Sequence, residues 1–146
     1  MRKLILLLSL VCIVGCTETI VKCKDSDTYV LESKEVIRLF DCDGIESKQF
    51  MGKDAKKFAD SVLVGKKVKL SRKGKDKYGR TLAAVYVEGE SMANLLVSNG
   101  YAYVYTRYTN NEELINRFNY AKFNKVGVFK YDNQISPAEF RKQSKN

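Results

Sequence analysis

The nine residues Arg38-Leu-Phe-Asp-Cys-Asp43-Gly-Ile-Glu46 carry most of what this sequence predicts. They place two carboxylates, Asp43 and Glu46, five and eight residues after an arginine. In an extended strand Arg38 points away from its neighbours Ile37 and Leu39, because successive side chains alternate between the two faces. The stretch therefore predicts a strand that turns apolar side chains into a core and holds Arg38 on a polar face or rim.

Local patterns on either side of this stretch predict a mainly β fold. Alternating or β-branched apolar runs predict five strands, at 19–24, 28–31, 36–40, 67–71 and 81–87. Apolar residues at helical spacing predict three helices, at 53–64, 91–98 and 111–125. This set fits an α+β, mainly β fold: a five-stranded Greek-key barrel of the OB type with about three helices.

The chain length favours one domain followed by a short tail. With 146 residues the chain is large enough for one core and too small for two. We place the domain at 19–130 and a polar C-terminal tail at 131–146, which we expect to be peripheral. Ser136-Pro137-Ala138-Glu139 has the pattern of a capping box, so this tail is expected to carry a short helix.

Composition narrows the chemistry. The net charge of +9 favours a polyanionic partner such as nucleic acid or an anionic membrane surface, although simple solubility explains it equally well. The chain has no histidine, which excludes an imidazole base and zinc sites with histidine ligands. An enzyme built from this chain that cuts phosphodiesters must use carboxylates, arginines and a metal.

The N-terminus has the pattern of a targeting segment. Arg2 and Lys3 precede an apolar run at 4–14, which is shorter than the about 20 residues that span a bilayer. Cys16 follows small residues as in a bacterial lipobox, so we expect a lipoprotein signal peptide at 1–15, lipidation of Cys16 and a short linker at 16–18. The mature chain loses only Arg2 and Lys3 among its charged residues and keeps a charge of +7. The expected location is the bacterial cell envelope; the alternative is an ordinary signal and a secreted protein.

Two further cysteines remain in the mature chain. Cys23 lies late in the first predicted strand and Cys42 just past the third, and an exported protein can keep a disulfide. A bridge and two separate buried thiols are both compatible with the sequence. Neither thiol is a candidate nucleophile, because no histidine exists to activate it.

Two more polar segments complete a set of groups suited to phosphodiester hydrolysis. Asp25-Ser-Asp27-Thr28 lies upstream of Arg38, and Asp76-Lys77-Tyr78-Gly79-Arg80 lies downstream. Two carboxylates from separate segments can hold a hard divalent cation, two arginines can clamp a phosphoryl group, and a glutamate is left as a base. Taken alone, the Asp25–Asp27 segment is more typical of a polar turn between strands, and Asp41 is interpreted only as such a turn residue.

These residues, in this order and spacing, resemble staphylococcal nuclease and the wider thermonuclease-like family over 19–130. The string Asp76-Lys-Tyr-Gly-Arg-Thr-Leu-Ala83 is the most specific part of the resemblance, and Gly100-Tyr-Ala-Tyr-Val-Tyr105 adds a weaker one. Two positions depart from the family pattern: Ser26 stands where the family has glycine, and Ile45 where it has proline. The loss of proline is expected to loosen the approach to Glu46.

The resemblance implies a role for each site residue. Asp27, Asp43 and the backbone carbonyl of Gly44 would bind the metal, expected to be Ca²⁺ with Mn²⁺ or Mg²⁺ not excluded. Glu46 would activate or orient the attacking water, and Arg38 and Arg80 would clamp the phosphate. Lys77 and Tyr78 would contact a neighbouring phosphate of the substrate. Tyr105 would stack on a base; the alternative is that its ring only packs within the protein.

The resemblance thus predicts a calcium-dependent nuclease that hydrolyses DNA and RNA with low sequence specificity. The N-terminal pattern predicts that it is exported and anchored to the membrane by lipid, and we expect it to act as a monomer. One alternative is a non-catalytic nucleic-acid-binding OB module on the cell envelope, which would bind in a salt-dependent way without cutting. A second alternative is a lipoprotein whose basic barrel serves contacts with the envelope or with proteins.

Overall fold

The computed structural model describes residues 16–107 and 109–145, so the predicted signal peptide at 1–15 lies outside the described residues. Within these ranges the chain forms eight strands, four α-helices and one 3-10 helix. The strands are β1 (Glu18–Asp25), β2 (Thr28–Leu31), β3 (Val36–Leu39), β4 (Cys42–Gly44), β5 (Lys67–Lys75), β6 (Thr81–Val87), β7 (Glu90–Ser91) and β8 (Ala102–Val104). The helices are α1 (Gly52–Leu63), α2 (Met92–Ser98), α3 (Glu112–Phe123) and α4 (Pro137–Gln143), and the 3-10 helix is Gly127–Lys130.

Five of the strands close into a barrel. β2 pairs antiparallel with β1 and β3, and β5 pairs antiparallel with β1 and β6. A parallel pairing of β3 with β6 completes the ring. These are the five strands that the sequence predicts, so the mainly β, OB-type fold is confirmed.

Three short strands were not predicted. β7 continues the sheet beyond β6, while β4 and β8 form a separate two-stranded sheet in which Asp43 lies opposite Tyr103. Each of the three has only two or three residues. A run of that length shows no measurable alternation, so sequence patterns do not detect it.

The four helices include the one expected in the tail. α2 begins after Ser91, whose side chain accepts a hydrogen bond from the Asn94 N–H, as its position predicts. α4 begins after Ser136 with both hydrogen bonds of the expected capping box: the Glu139 N–H donates to the Ser136 side chain, and the Ser136 N–H donates to the Glu139 carboxylate.

The core fills the barrel and the space between it and the helices. Ile37 and Leu39 of β3 are buried, as their alternation predicts. Arg38 between them is also buried, with 9% of its surface exposed, so it does not lie at an open rim. The largest buried side chains are Tyr29, Ile20, Leu31, Ile37, Leu39, Ile45, Leu63, Met92, Leu96, Leu114, Val68 and Val85.

The cysteines of the described residues are all free thiols. Cys23 and Cys42 are buried and separate, and Cys16 is exposed. Burial raises the pKa of Cys23 to about 12 and that of Cys42 well above its ordinary value. Among residues 16–107 and 109–145, no helix has the length and apolar character needed to cross a membrane.

Candidate active site

The turn between β1 and β2 positions Asp27 beside β4. The Asp27 carboxylate accepts hydrogen bonds from the Gly44 N–H at 2.5 Å and from the Thr28 hydroxyl at 3.0 Å. The Ser26 hydroxyl donates to the Ile45 carbonyl, which ties the same turn to the same strand. A Cβ atom at Gly44 would lie 2.1 Å from the Ser26 Oγ, so this close approach requires glycine. Ser26, one of the two departures from the family pattern, therefore has a structural role.

Arg38 joins the two predicted metal aspartates. Its Nη1 lies 2.6 Å from Asp27 Oδ2, and its Nη2 lies 2.8 Å from Asp43 Oδ1. Burial alone would lower the pKa of Arg38, but the nearby Asp27 and Asp43 carboxylates raise it, and the net shift is upward. The Arg38 guanidinium therefore stays charged. It holds the Asp27 and Asp43 carboxylates, which come from separate segments of the chain, close to each other.

Arg141 on α4 is a second arginine bound to Asp43. Its Nη1 and Nη2 donate to Asp43 Oδ1 and Oδ2 at 3.0 and 2.8 Å. Its Nη1 also donates to Glu46 Oε1 at 2.5 Å. The expectation that the tail is peripheral is wrong at this residue, because α4 docks on the site and contributes a charged group to it.

Tyr105 completes the surroundings of Asp43. Its hydroxyl donates to Asp43 Oδ2 at 2.7 Å and accepts a hydrogen bond from Arg141 Nη2 at 2.9 Å. Burial and the hydrogen bond to Asp43 both raise the pKa of Tyr105, so the phenol keeps its proton. These polar contacts were not predicted; base stacking by Tyr105 stays a prediction.

Glu46 lies on the loop between β4 and α1. The Gln49 N–H donates to the Glu46 carbonyl at 2.8 Å, and the Glu46 N–H donates to Gln49 Oε1 at 3.3 Å. A Cβ atom at Gly52 would lie 1.8 Å from the Glu46 carbonyl oxygen, so the first turn of α1 packs directly on this backbone. The Glu46 backbone is thereby held in place without the proline that the family carries at position 45.

The loop between β5 and β6 holds Arg80, Lys77 and Tyr78. Asp76 pairs with Arg80 Nε at 2.6 Å and accepts hydrogen bonds from the Tyr78 and Arg80 N–H groups, which shapes the loop. Tyr78 is 69% exposed, and the Lys77 ammonium and the Arg80 guanidinium lie over its ring, 5.1 and 5.4 Å from the ring centre. An exposed ring flanked by two cations is suited to contact with a nucleotide.

These elements surround one open cleft of about 830 Å³. Its lining includes four carboxylates and six cationic side chains. The charged residues are Asp25, Asp27, Glu46, Asp76, Arg38, Lys73, Lys77, Arg80, Arg141 and Lys145, and Tyr78 and Tyr105 also line it. Asp43 lies beneath this surface with 2% of its area exposed. The structure therefore brings the residues predicted for catalysis, metal binding and substrate binding to one cleft or close beside it.

The chain has clear relatives among known proteins. The model of a family described as staphylococcal nuclease homologues matches residues 36–131. An "uncharacterized endonuclease" of Haemophilus influenzae is 32% identical over 130 residues, which cover 86% of this chain and 73% of that protein. The chain belongs to the family of staphylococcal nuclease homologues.

Two further relatives carry nuclease names. A protein named micrococcal nuclease from Shigella flexneri is 30% identical over 142 residues, which cover 87% of this chain and 81% of that protein. The staphylococcal-like nuclease CAN1 of Arabidopsis thaliana is 32% identical, and the match covers 80% of this chain but only 36% of the plant protein. The chain thus spans most of the bacterial relatives and about a third of the plant one.

The family match includes only part of the site. Arg38, Asp43, Glu46 and Arg80 lie within residues 36–131, whereas Asp27 lies before them and Arg141 after them. Arg141 could not be found from the family pattern or from local spacing. The one signal in the sequence was the capping box that starts α4, and it predicts a helix but not where the helix docks.

The donor set fits a hard cation held by oxygen. In residues 16–107 and 109–145 no group of three or more histidine, cysteine, aspartate or glutamate side chains converges as a ready metal site. The Asp27 and Asp43 carboxylates both contact the Arg38 guanidinium, and the Gly44 N–H donates a hydrogen bond to Asp27. Two carboxylates and a backbone carbonyl suit Ca²⁺, Mg²⁺ or Mn²⁺, with water filling the remaining positions.

Proposed function

We propose that this member of the staphylococcal nuclease homologue family is a metal-dependent phosphodiesterase that hydrolyses DNA and RNA with low sequence specificity. Calcium is the proposed metal. The observation that carries the proposal is the Arg38 guanidinium bound to both Asp27 and Asp43, beneath a basic cleft that also holds Glu46 and Arg80. The nuclease names of the bacterial relatives support it.

Asp27, Asp43 and the Gly44 carbonyl would hold the cation. When bound, the cation would polarise a phosphoryl oxygen and offset the charge that develops on it. Burial raises the pKa of Asp27. Arg38 and the Gly44 N–H limit this rise, but the net shift of the Asp27 pKa is upward.

Glu46 is the proposed group that accepts a proton from the attacking water or orients it. Its side chain faces the cleft, and its Oε1 lies in the same hydrogen-bonded cluster as Asp43. The phosphate and the water would therefore lie next to both carboxylates. A glutamate is effective as a base only at such hydrogen-bonding distance.

Arg38 and Arg80 are the proposed phosphate clamps. Arg38 forms ion pairs with Asp27 and Asp43, and Arg80 forms one with Asp76. Both guanidinium groups are therefore positioned before substrate binds. Preorganised donors stabilise the charge that builds on the phosphoryl oxygens as water attacks. Lys77 and Tyr78 extend the cleft toward a neighbouring nucleotide.

The test is cleavage of single-stranded DNA and RNA by the purified chain, with calcium and with chelator, beside Glu46→Gln. We expect calcium-dependent cleavage that falls about 10²–10⁴-fold in the variant, the range that a general base contributes. Glu32→Gln, a change outside the cleft, is the matched control. Near-normal turnover of Glu46→Gln would disprove the assigned base, and metal-independent cleavage would disprove the metal.

A second candidate function is nucleic-acid binding without cleavage. The contact of Arg141 with both Asp43 and Glu46 favours it, since these are the groups that hydrolysis requires. The same experiment separates the two: salt-sensitive binding of single strands with no cleavage under any divalent metal identifies a binding module.

For location, we propose that Cys16 is lipidated and anchors the chain to the bacterial cell envelope, and that the chain is a monomer there. The proposal rests on the sequence of residues 2–16. Metabolic labelling with an acyl chain should mark the wild type and not Cys16→Ser. Label that persists in Cys16→Ser would reject Cys16 as the lipidation site, and a wild type without label would leave secretion as the alternative.

A further inference from the structure

Arg141 binds the carboxylate of Asp43, one of the two aspartates proposed to hold the cation. It forms a two-pronged contact with both Asp43 oxygens, at 3.0 and 2.8 Å, and a third contact with Glu46 at 2.5 Å. A guanidinium between two carboxylates offsets their repulsion, as a bound metal does. Arg141 thus already supplies a positive charge to Asp43, a proposed metal ligand, and to Glu46.

The hydrogen-bonding capacity of Asp43 is fully used. Oδ1 accepts from Arg38 and Arg141, and Oδ2 accepts from Arg141 and Tyr105. A carboxylate offers about four lone-pair directions. A metal ion that binds to Asp43 must therefore replace one of these donors.

Of the donors, Arg141 is the one placed to leave. Arg38 is 9% exposed, lies in the barrel strand β3 and also binds Asp27 and the Cys42 carbonyl. The Arg141 side chain is 38% exposed and lies on a seven-residue helix outside the barrel. Short peripheral elements open at lower free energy than barrel strands do.

Few contacts attach α4 to the domain. Pro137 is its one buried residue, and Gln49 Nε2 donates to the Ile135 carbonyl just before it at 2.6 Å. Gln49 also binds the backbone of Glu46, so the segment before α4 is connected to the loop that carries the proposed base. Because Arg141 contacts both Asp43 and Glu46, its release would remove one donor from each of these carboxylates.

We infer that α4 is an internal competitor of the metal ion: Arg141 holds Asp43 and Glu46 in the metal-free protein, and metal binding displaces it from the cleft. The inference rests on the proposed metal-dependent function of the same site. It predicts a metal affinity lower than the ligand set alone would provide, because each binding event must first break the Arg141 contacts.

The test measures calcium binding by calorimetry, without substrate, on the full chain purified in a non-ionic detergent. Arg141→Ala should bind calcium about tenfold more tightly than the wild type, since the three charge-assisted contacts with Asp43 and Glu46 no longer compete. Lys142→Ala is the matched control, because it removes the same charge from an exposed position of the same helix. It should stay within about twofold of the wild type, the change expected when no competing contact is lost.

A second readout needs no variant. Amide hydrogen exchange of residues 137–143 in the wild type should become faster when calcium is added, since α4 loses its attachment. Equal or weaker calcium binding in Arg141→Ala, or exchange that calcium leaves unchanged or slows, would overturn the inference and make Arg141 a fixed part of the site. If no chain binds calcium, manganese or magnesium, the proposed metal dependence fails as well; unaltered binding in Arg141→Ala rejects only the competition.

Discussion

Arg38 and Arg80 of the cleft differ in their contacts, so their replacement should change the free energy of unfolding by different amounts. Arg38 is buried against Asp27 and Asp43, whereas Arg80 is about a third exposed and pairs with Asp76 on a loop. Removing one partner of a buried pair leaves uncompensated charge and costs about 3–5 kcal/mol, while an exposed pair contributes about 0–1 kcal/mol.

We therefore expect Arg38→Ala to lose both stability and cleavage, and Arg80→Ala to keep its stability while cleavage falls about 10²–10³-fold. Urea unfolding and turnover measured on the same samples would show the difference. A large loss of stability in Arg80→Ala, or a small one in Arg38→Ala, would contradict the assigned contacts.

The buried thiols give a prediction that follows from their pKa shifts. Burial raises the pKa of Cys23 to about 12 and that of Cys42 well above normal, so both stay protonated at pH 8. Because the thiolate is the reactive form, iodoacetamide should label neither in the folded protein and both after denaturation. Mass spectrometry of the peptides reads out the result; rapid labelling of either cysteine at pH 8 without denaturant would contradict the structure.

At the scale of elements, the start of α1 and the loop before it form one unit. Replacing glycine by alanine in a helix normally stabilises it by about 1 kcal/mol. At Gly52 the added Cβ would lie 1.8 Å from the Glu46 carbonyl oxygen, a backbone atom that cannot move without Glu46. At Gly52 the stability that alanine normally adds to a helix should therefore become a loss.

Gly52→Ala is expected to lower the free energy of unfolding by about 1–3 kcal/mol, the range for overpacking, and to reduce cleavage as Glu46 shifts. Ser61→Ala, at an exposed position of the same helix, is the control and should be neutral or slightly stabilising. Thermal unfolding and turnover measure both effects. Unchanged turnover in Gly52→Ala would show that the Glu46 loop adapts.

Elements also differ in how readily the sequence predicts them. β1, β2, β3, β5 and β6 have at least four residues each and form the barrel, and their patterns predict them. β4 and β8 have three residues each, yet β4 carries Asp43 and Gly44. The strand that carries the proposed metal ligands Asp43 and Gly44 is thus stabilised by its pairing with β8 and by the Asp27 turn, not by local propensity.

For the whole molecule, the cations of the cleft predict salt-dependent binding. Single-stranded DNA, measured with chelator present, should bind more weakly as salt rises, with a slope of about 0.7 per phosphate neutralised. Lys77→Ala should lower that slope by about one such contact, and Lys57→Ala on the outer face of α1 should not. Fluorescence titration at several salt concentrations measures the slopes; equal slopes in both variants would remove Lys77 from the substrate path.

The sequence by itself determined the barrel strands, the three main helices and most of the candidate site. Strand and helix patterns are local, and the spacing from Arg38 to Glu46 and the string around Arg80 lie within short segments. Ser136-Pro137 similarly predicted the start of α4. Each of these patterns involves residues that are close together in the chain, so each can be recognised without knowledge of the tertiary structure.

Only the tertiary structure decided how these parts are joined. It buried Arg38 between Asp27 and Asp43, and it brought Arg141 onto Asp43, 98 residues away in the chain. A contact of that separation leaves no periodicity or spacing in the sequence, because it depends on where a short helix docks after the barrel has formed. The pairing of α4 with the proposed metal ligands is therefore a property of the fold.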